Sequence, residues 1–284
     1  MMKLNLPRLK YSIAVILLCF SIQLKSFGGG FPVRPGSLLI SPSFNYFEAT
    51  KGWDSLRHLS PFAQGGKFTS QLYSMYIQLG ISKRWAFIGT IPYVINDYTQ
   101  TGYSSHTQGL TDVEMGLKYY LLNINYTYYI SLQGSYIQPF YTNLNLGYAE
   151  KGAEFKVSFA GSGSMLGTHY FFNIDDGIRQ YFGDQGPVQN RYNGTIGISL
   201  DRKSKHSVNL SIGGFYSTSS FTSSSANQAL NKNFAFTQAS ISYGYAISHA
   251  CSIFVTGGTF IAGRNTGDGS SASISLNLRP FKGI

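Results

Sequence analysis

Apolar side chains recur at every second position along most of the chain beyond residue 27. No stretch there holds apolar spacing at three and four, and none reaches the roughly 18 consecutive apolar residues of a membrane-spanning helix. Over 69–81, Tyr73, Met75, Ile77, Leu79 and Ile81 share one face and Ser70, Ser74 and Gln78 the other. Over 85–95 the apolar face is Trp85, Phe87, Ile91, Tyr93 and Ile95. Over 109–122, Val113, Met115, Leu117, Tyr119 and Leu121 oppose Asp112, Glu114 and Lys118; over 126–138, Tyr128, Ile130, Leu132 and Tyr136 oppose Ser131, Gln133 and Ser135. Phe155, Val157 and Phe159 oppose Lys156 and Ser158. Over 168–181, Tyr170, Phe172, Ile174 and Ile178 oppose Asn173, Asp175 and Arg179, while Asp176 falls on the apolar face. Further alternating segments are 37–47, 190–200, 206–217, 234–247, 250–262 and 271–281. The pattern predicts twelve strands, and a single-chain bacterial membrane barrel requires an even number.

Connection lengths alternate as well. Those after the second, fourth, eighth and tenth segments are short: Lys83-Arg84, 123–125, 201–205 and Ser248-His249. Those after the first, third, fifth and ninth are long and rich in Ser, Gly, Asn and Thr: 48–67, 96–108, 139–152 and 218–232. Short periplasmic turns and long outer loops are the habit of outer-membrane barrels. The expected fold is therefore all-β, a transmembrane antiparallel up-and-down β-barrel over 37–284 with both ends in the periplasm.

Composition agrees with a lipid-facing wall. Charged residues are 12% and aromatics 15%, against about 25% charged in soluble domains. Mean hydropathy is −0.05, too polar for a bundle of apolar helices. A soluble β-sandwich would put many Lys and Glu on its water face, whereas the polar face here is mostly Ser, Thr, Asn, Gln and Gly, which suits a hydrated lumen.

The first residues read as an address. Three basic residues precede the apolar run YSIAVILLCF, and the polar 21–26 follow. Ten apolar residues cannot span a bilayer, so 1–26 is expected to be a cleaved signal peptide and the chain to be exported to the outer membrane of a diderm bacterium. The formal charge of +10 includes Lys3, Arg8, Lys10 and Lys25. Without those four, 18 basic face 12 acidic side chains, a net +6. The basic residues are scattered, which argues against nucleic-acid binding. Cys19 raises lipidation, but Leu18 stands where a small residue is needed. After cleavage only Cys251 is left, so no internal disulfide can form. The Gly-rich 27–36 (FGGGFPVRPG) is expected to be a flexible periplasmic segment, with insertion into the lumen as a plug the alternative.

Two segments, LGISKRWAFIGTIPYV over 79–94 and GLTDVEMGLKYYLL over 109–122, resemble the outer-membrane barrel family named after the meta-pathway of phenol degradation. The matching positions are Pro92, Tyr93, Gly109, Asp112, Gly116, Lys118 and Tyr119. The resemblance covers about 45 residues and implies a barrel transporter for hydrophobic or aromatic compounds. It implies outer-membrane lipid and the barrel-assembly machinery as partners, and leaves oligomeric state open.

Ionisable residues that point into a membrane barrel are the natural candidates for function. The expected lumen-lining set is Asp112, Glu114, Lys118, Asp175, Arg179, Arg191 and Arg279. One reading has them set polarity at a constriction; the other has them pair across a partly filled interior and hold the barrel together. A lipid-hydrolysing barrel enzyme would need a nucleophile within reach of a base. His169 is placed inward, His206 and His249 at turns, and His58 and His106 in outer loops. The chain is therefore expected not to be an enzyme, and no cofactor or metal is expected, because His, Cys, Asp and Glu show no ligand spacing. The expected function is passive transport of small molecules, with a non-transporting structural or assembly-partner barrel as the alternative.

Overall fold

Each alternating segment can satisfy its peptide groups only by pairing on both sides, and in the computed structural model every one of them does. The structure describes residues 30–165, 167–184, 186–220 and 231–282; the expected signal peptide and Cys19 lie outside them. Twelve strands form the wall: β1 (Ser37–Trp53), β2 (Lys67–Gly80), β3 (Trp85–Gln100), β4 (Asp112–Ile124), β5 (Tyr128–Pro139), β6 (Gly152–Met165), β7 (Thr168–Tyr181), β8 (Val188–Ser199), β9 (His206–Thr218), β10 (Phe234–Ala246), β11 (Cys251–Arg264) and β12 (Thr266–Lys282). All are antiparallel and each pairs with its neighbours in chain order. The sheet closes where β12 pairs β1, from Leu38 opposite Phe281 to Trp53 opposite Thr266. Two short strands, Leu59–Pro61 and Tyr103–Leu110, belong to the long connections.

The second of these extends the wall. Residues 93–100 of β3 pair with Tyr103–Leu110, while its 85–90 pair with β4. Pro92 sits at the break between the two pairings. It has no N–H to give, and its carbonyl accepts from Thr111 N at 3.1 Å; a proline is tolerated where the ladder is interrupted.

The two faces are as the alternation predicts. Met115, Leu117, Phe155, Ile174, Ile196, Leu210, Ile241 and Ile274 are exposed on the outer face, an apolar belt that only lipid can cover. Ten residue steps from Trp85 to Ile95 at the usual tilt span about 26 Å, close to the height of an outer-membrane apolar band. Aromatic rings mark its short-turn edge. Trp85 and Tyr119 lie 4.7 Å apart and Arg84 Nη1 donates to the Tyr119 hydroxyl at 3.1 Å; Tyr128, Phe159 and Phe172 form a second group. At the other edge outward charges are paired, Lys67 with Glu48 at 2.9 Å and His106 with Asp97 at 2.6 Å. Asp176 does face outward, where Asn190 Nδ2 donates to it at 2.8 Å. A bulge between Tyr120 and Leu122 shifts the register, so Leu121 and Leu122 are both exposed.

At the short-turn end the residues before β1 bend inward. Phe31 is buried against Tyr129, Ala160 and Phe171, and its carbonyl accepts from the Tyr120 hydroxyl at 3.2 Å. Gly36 N donates to Gly80 O at 2.8 Å. Gly80 must be glycine, since a Cβ there would meet Arg34 O at 2.1 Å.

A cation placed on the outer face tests the sidedness. Leu210→Lys should cost about 2–4 kcal/mol of stability in phospholipid vesicles. The neighbouring inward change Ser211→Lys should cost less than about 1 kcal/mol. Urea unfolding followed by the heat-dependent gel shift of folded barrels reads both, and equal losses would remove the lipid-facing assignment.

Candidate functional site

Strand register assembles the charged residues. Glu154 on β6 lies opposite Arg179 on β7, and Arg191 follows one inward step away on β8, opposite Gly177. Arg179 Nε donates to Glu154 Oε2 at 2.7 Å, and its Nη2 reaches Glu114 Oε2 on β4 at 2.6 Å. Arg191 Nη1 meets the same Glu154 oxygen at 2.9 Å, and Lys156 Nζ meets the other at 3.1 Å. Glu154 is 3% exposed. A carboxylate so far from water is tolerable only because three cations share it.

Of the expected residues, Glu114, Arg179 and Arg191 thus come together in one cluster. Asp112 stands beside it and accepts the hydroxyls of Tyr141 at 2.6 Å and Tyr181 at 2.8 Å. Lys118 and Asp175 lie deeper in the lumen, Lys118 opposite Gln133 and Asp175 opposite Ser158. Arg279 is on β12 near the short-turn end, where its N–H donates to Ala250 O at 2.8 Å. Among the resemblance positions, Gly116 faces inward, where a Cβ would meet Gly134 O at 2.3 Å, and Tyr119 faces the lipid edge. Gly109 makes room for Leu146, whose Cδ1 would lie 2.8 Å from a Cβ there.

Glu154 was not anticipated, because the alternation read from Phe155 begins one inward residue too late. Its signal was nonetheless present in the spacing of Glu154, Lys156 and Ser158.

The connection 140–151 folds into the mouth above this cluster. Tyr148 OH donates to Asn231 O at 2.8 Å, and Lys232 Nζ pairs with Glu150 Oε1 at 2.9 Å, so two long connections hold each other. Burial pushes the Tyr148 phenol above its ordinary pKa, which keeps it a neutral donor.

Facing the charged wall is an arc of phenylalanines that the alternation does not reveal. Phe236 and Phe260 stack 4.4 Å apart with planes 3° from parallel. Phe215 and Phe47 continue the arc at 5.1 Å on either side, and Phe68 follows Phe47 at 6.3 Å. The walls meet where the Arg191 guanidinium lies 4.2 Å over the Phe215 ring. Between them is a cavity of about 620 Å3, within the usual range for small-molecule sites. Below it the two sides of the lumen differ. Ser131, Ser158 and Gln78 are buried and Ile88 fills the same side, whereas Ser211, Ser240, Ser242, Thr256, Ser273 and Ser275 are only half-buried.

Among the described residues, no three His, Cys, Asp or Glu side chains gather as a metal site. Ser164 Oγ is 2.8 Å from His169 Nδ1, but among the described residues no carboxylate is bonded to that ring to orient a catalytic base.

Among solved structures, the chain is similar to an outer membrane channel from Pseudomonas putida F1, with a TM-score of 0.68 at 10% identity over 90% of this chain and 100% of that one. It is similar to the beta domain of the Bordetella autotransporter BrkA, with a TM-score of 0.53 at 11% identity over 86% and 99%. The transport unit of the autotransporter AIDA-I from Escherichia coli gives 0.51 at 8% identity over 94% and 97%. At these identities the likeness shows the fold, that of an outer-membrane β-barrel. No family model matches the chain and no curated protein does, so the phenol meta-pathway resemblance rests on 79–94 and 109–122 alone.

Removing the shared carboxylate should unbalance the charged wall. Glu154→Gln is expected to lower stability by about 3–5 kcal/mol, the cost of leaving buried cations unpaired. Lys156→Met, at the more exposed edge of the cluster, should cost under about 1 kcal/mol. Denaturant midpoints in vesicles measure both.

Proposed function

We propose that the chain resides in the outer membrane and lets small molecules pass passively, hydrophobic or aromatic ones among them, without chemical change. The observation that carries this reading is the cavity inside a closed barrel, with the phenylalanine arc on one wall and paired charges on the other. A lumen built only to be filled would have no such space. In this orientation the short turns face the periplasm and the connections 54–66, 101–111 and 140–151 face outward.

The charged residues serve the passage as its wall. Asp112, Glu114, Arg179 and Arg191 line the cavity and are held by one another and by Tyr141 and Tyr181. In this reading Lys118, Asp175 and Arg279 line the lumen closer to the periplasm. Residues 30–36 narrow that end, with Phe31 as the stopper. This closure favours the second reading, a structural barrel that transports nothing.

Planar-bilayer recordings and liposome swelling separate the two. The purified protein should show ion current and admit small solutes, and silence for every solute would favour the structural role. Deletion of 28–34 should raise single-channel conductance by roughly twofold or more if the segment obstructs the lumen. Unchanged traces would refute the stopper.

A further inference from the structure

The chemistry of the two walls narrows the class of solute. Ring faces of Phe47, Phe215, Phe236 and Phe260 offer contact area and no hydrogen bond, and a π face attracts weakly positive C–H groups. On the opposite wall Asp112 and Glu114 can only accept and Arg179 and Arg191 can only donate, two charges of each sign on the cavity, with Tyr148, Tyr181 and Gln189 beside them. Any solute that displaces water there must return both donors and acceptors along one edge, or leave a charged group short of partners. An amine returns donors alone and a carboxylate acceptors alone. A bare aromatic ring returns neither. Hydroxyl groups return both and bring no net charge.

The lane beneath repeats this preference. Ser211, Ser240, Ser242, Thr256, Ser273 and Ser275 are half-buried on the inner faces of β9 to β12. They already exchange hydrogen bonds across strands, Ser242 with Thr256 at 2.7 Å and Thr195 with Ser211 at 2.8 Å. A hydroxylated solute leaving the cavity finds equivalent partners there, and an apolar one finds none. The register makes the arrangement continuous, since Arg191, Phe215 and Phe236 stand side by side across β8, β9 and β10.

We infer that the cavity binds a neutral, hydroxylated ring molecule, a small saccharide, with the apolar ring face on the phenylalanine arc and the hydroxyl edge on Asp112, Glu114 and Arg191. This rests on the passive-passage reading and narrows its solute from hydrophobic or aromatic molecules at large to hydroxylated rings.

The test is solute-induced block of ion current through the intact mature protein in planar bilayers, with maltotriose, toluene and benzoate as probes. Maltotriose should block saturably, while toluene and benzoate at equal concentration should not. Phe236→Ala and Phe260→Ala should each weaken the block by roughly three- to tenfold, the worth of one ring contact. Phe155→Ala, on the lipid face, should leave it unchanged. Block by toluene or benzoate as strong as by maltotriose would overturn the inference, as would a conducting protein on which the sugar has no effect; the second result leaves passive passage standing. If the protein carries no current, calorimetric titration of maltotriose in detergent decides. Binding weakened by Phe236→Ala then supports the site although passage fails, and absence of heat overturns it.

Discussion

Lipid offers a peptide group no hydrogen bond, so a strand that crosses a bilayer must find every partner in its own sheet. This chain meets that constraint by joining its last strand to its first along nearly their whole length, from Leu38 with Phe281 to Trp53 with Thr266. With both edges consumed, each strand retains one choice, which face to turn outward. The side chains make it at period two, because a slip of one residue would carry a whole apolar set into the lumen. Irregularities are confined to bulges near strand ends, as between Tyr120 and Leu122 or Ala49 and Lys51, which absorb an extra residue without breaking closure.

Closure with twelve strands also fixes how much interior there is to fill. Long side chains from opposite sides can meet in a barrel of this size, and the sequence fills one half and leaves the other lined by hydroxyls. On the side of β2 to β7, Ile88, Gln78, Ser131, Ser158 and Glu154 are almost wholly buried. On the side of β8 to β12, serine and threonine are too short to reach across. The cavity lies above this division, where the phenylalanines take over from the hydroxyl side chains.

The sequence made the wall legible for a physical reason. Alternation is a local signal, and a stripe such as Tyr73, Met75, Ile77 and Leu79 shows itself within a dozen residues. The number and order of barrel strands were readable for the same cause. The interior was harder, because what an inward side chain meets depends on strands far away in sequence. Glu114 and Arg179 were visible as inward charges, but their contact spans two intervening strands. The phenylalanine arc was hidden because β10 alternates Phe234, Phe236, Gln238 and Ser240 with Ala235, Thr237, Ala239 and Ile241, and neither series is plainly the oily one. Nor does local pattern show that Asp112 would receive two tyrosine hydroxyls, one of them from a long connection.

Arg179 shows why stability and the shape of the cavity are not separate properties here. Its guanidinium reaches from β7 past β6 and β5 to Glu114 on β4, a chord across the curved wall that resists flattening of that side. Arg191 shares the Glu154 oxygen with it and covers Phe215, so the same ion cluster positions the first ring of the arc. A change in these charges would therefore move the apolar wall as well as the polar one. The distance between the two walls, which decides what fits between them, is set by an ion network whose charges largely balance one another. Such a network can shape the cavity while leaving it close to neutral.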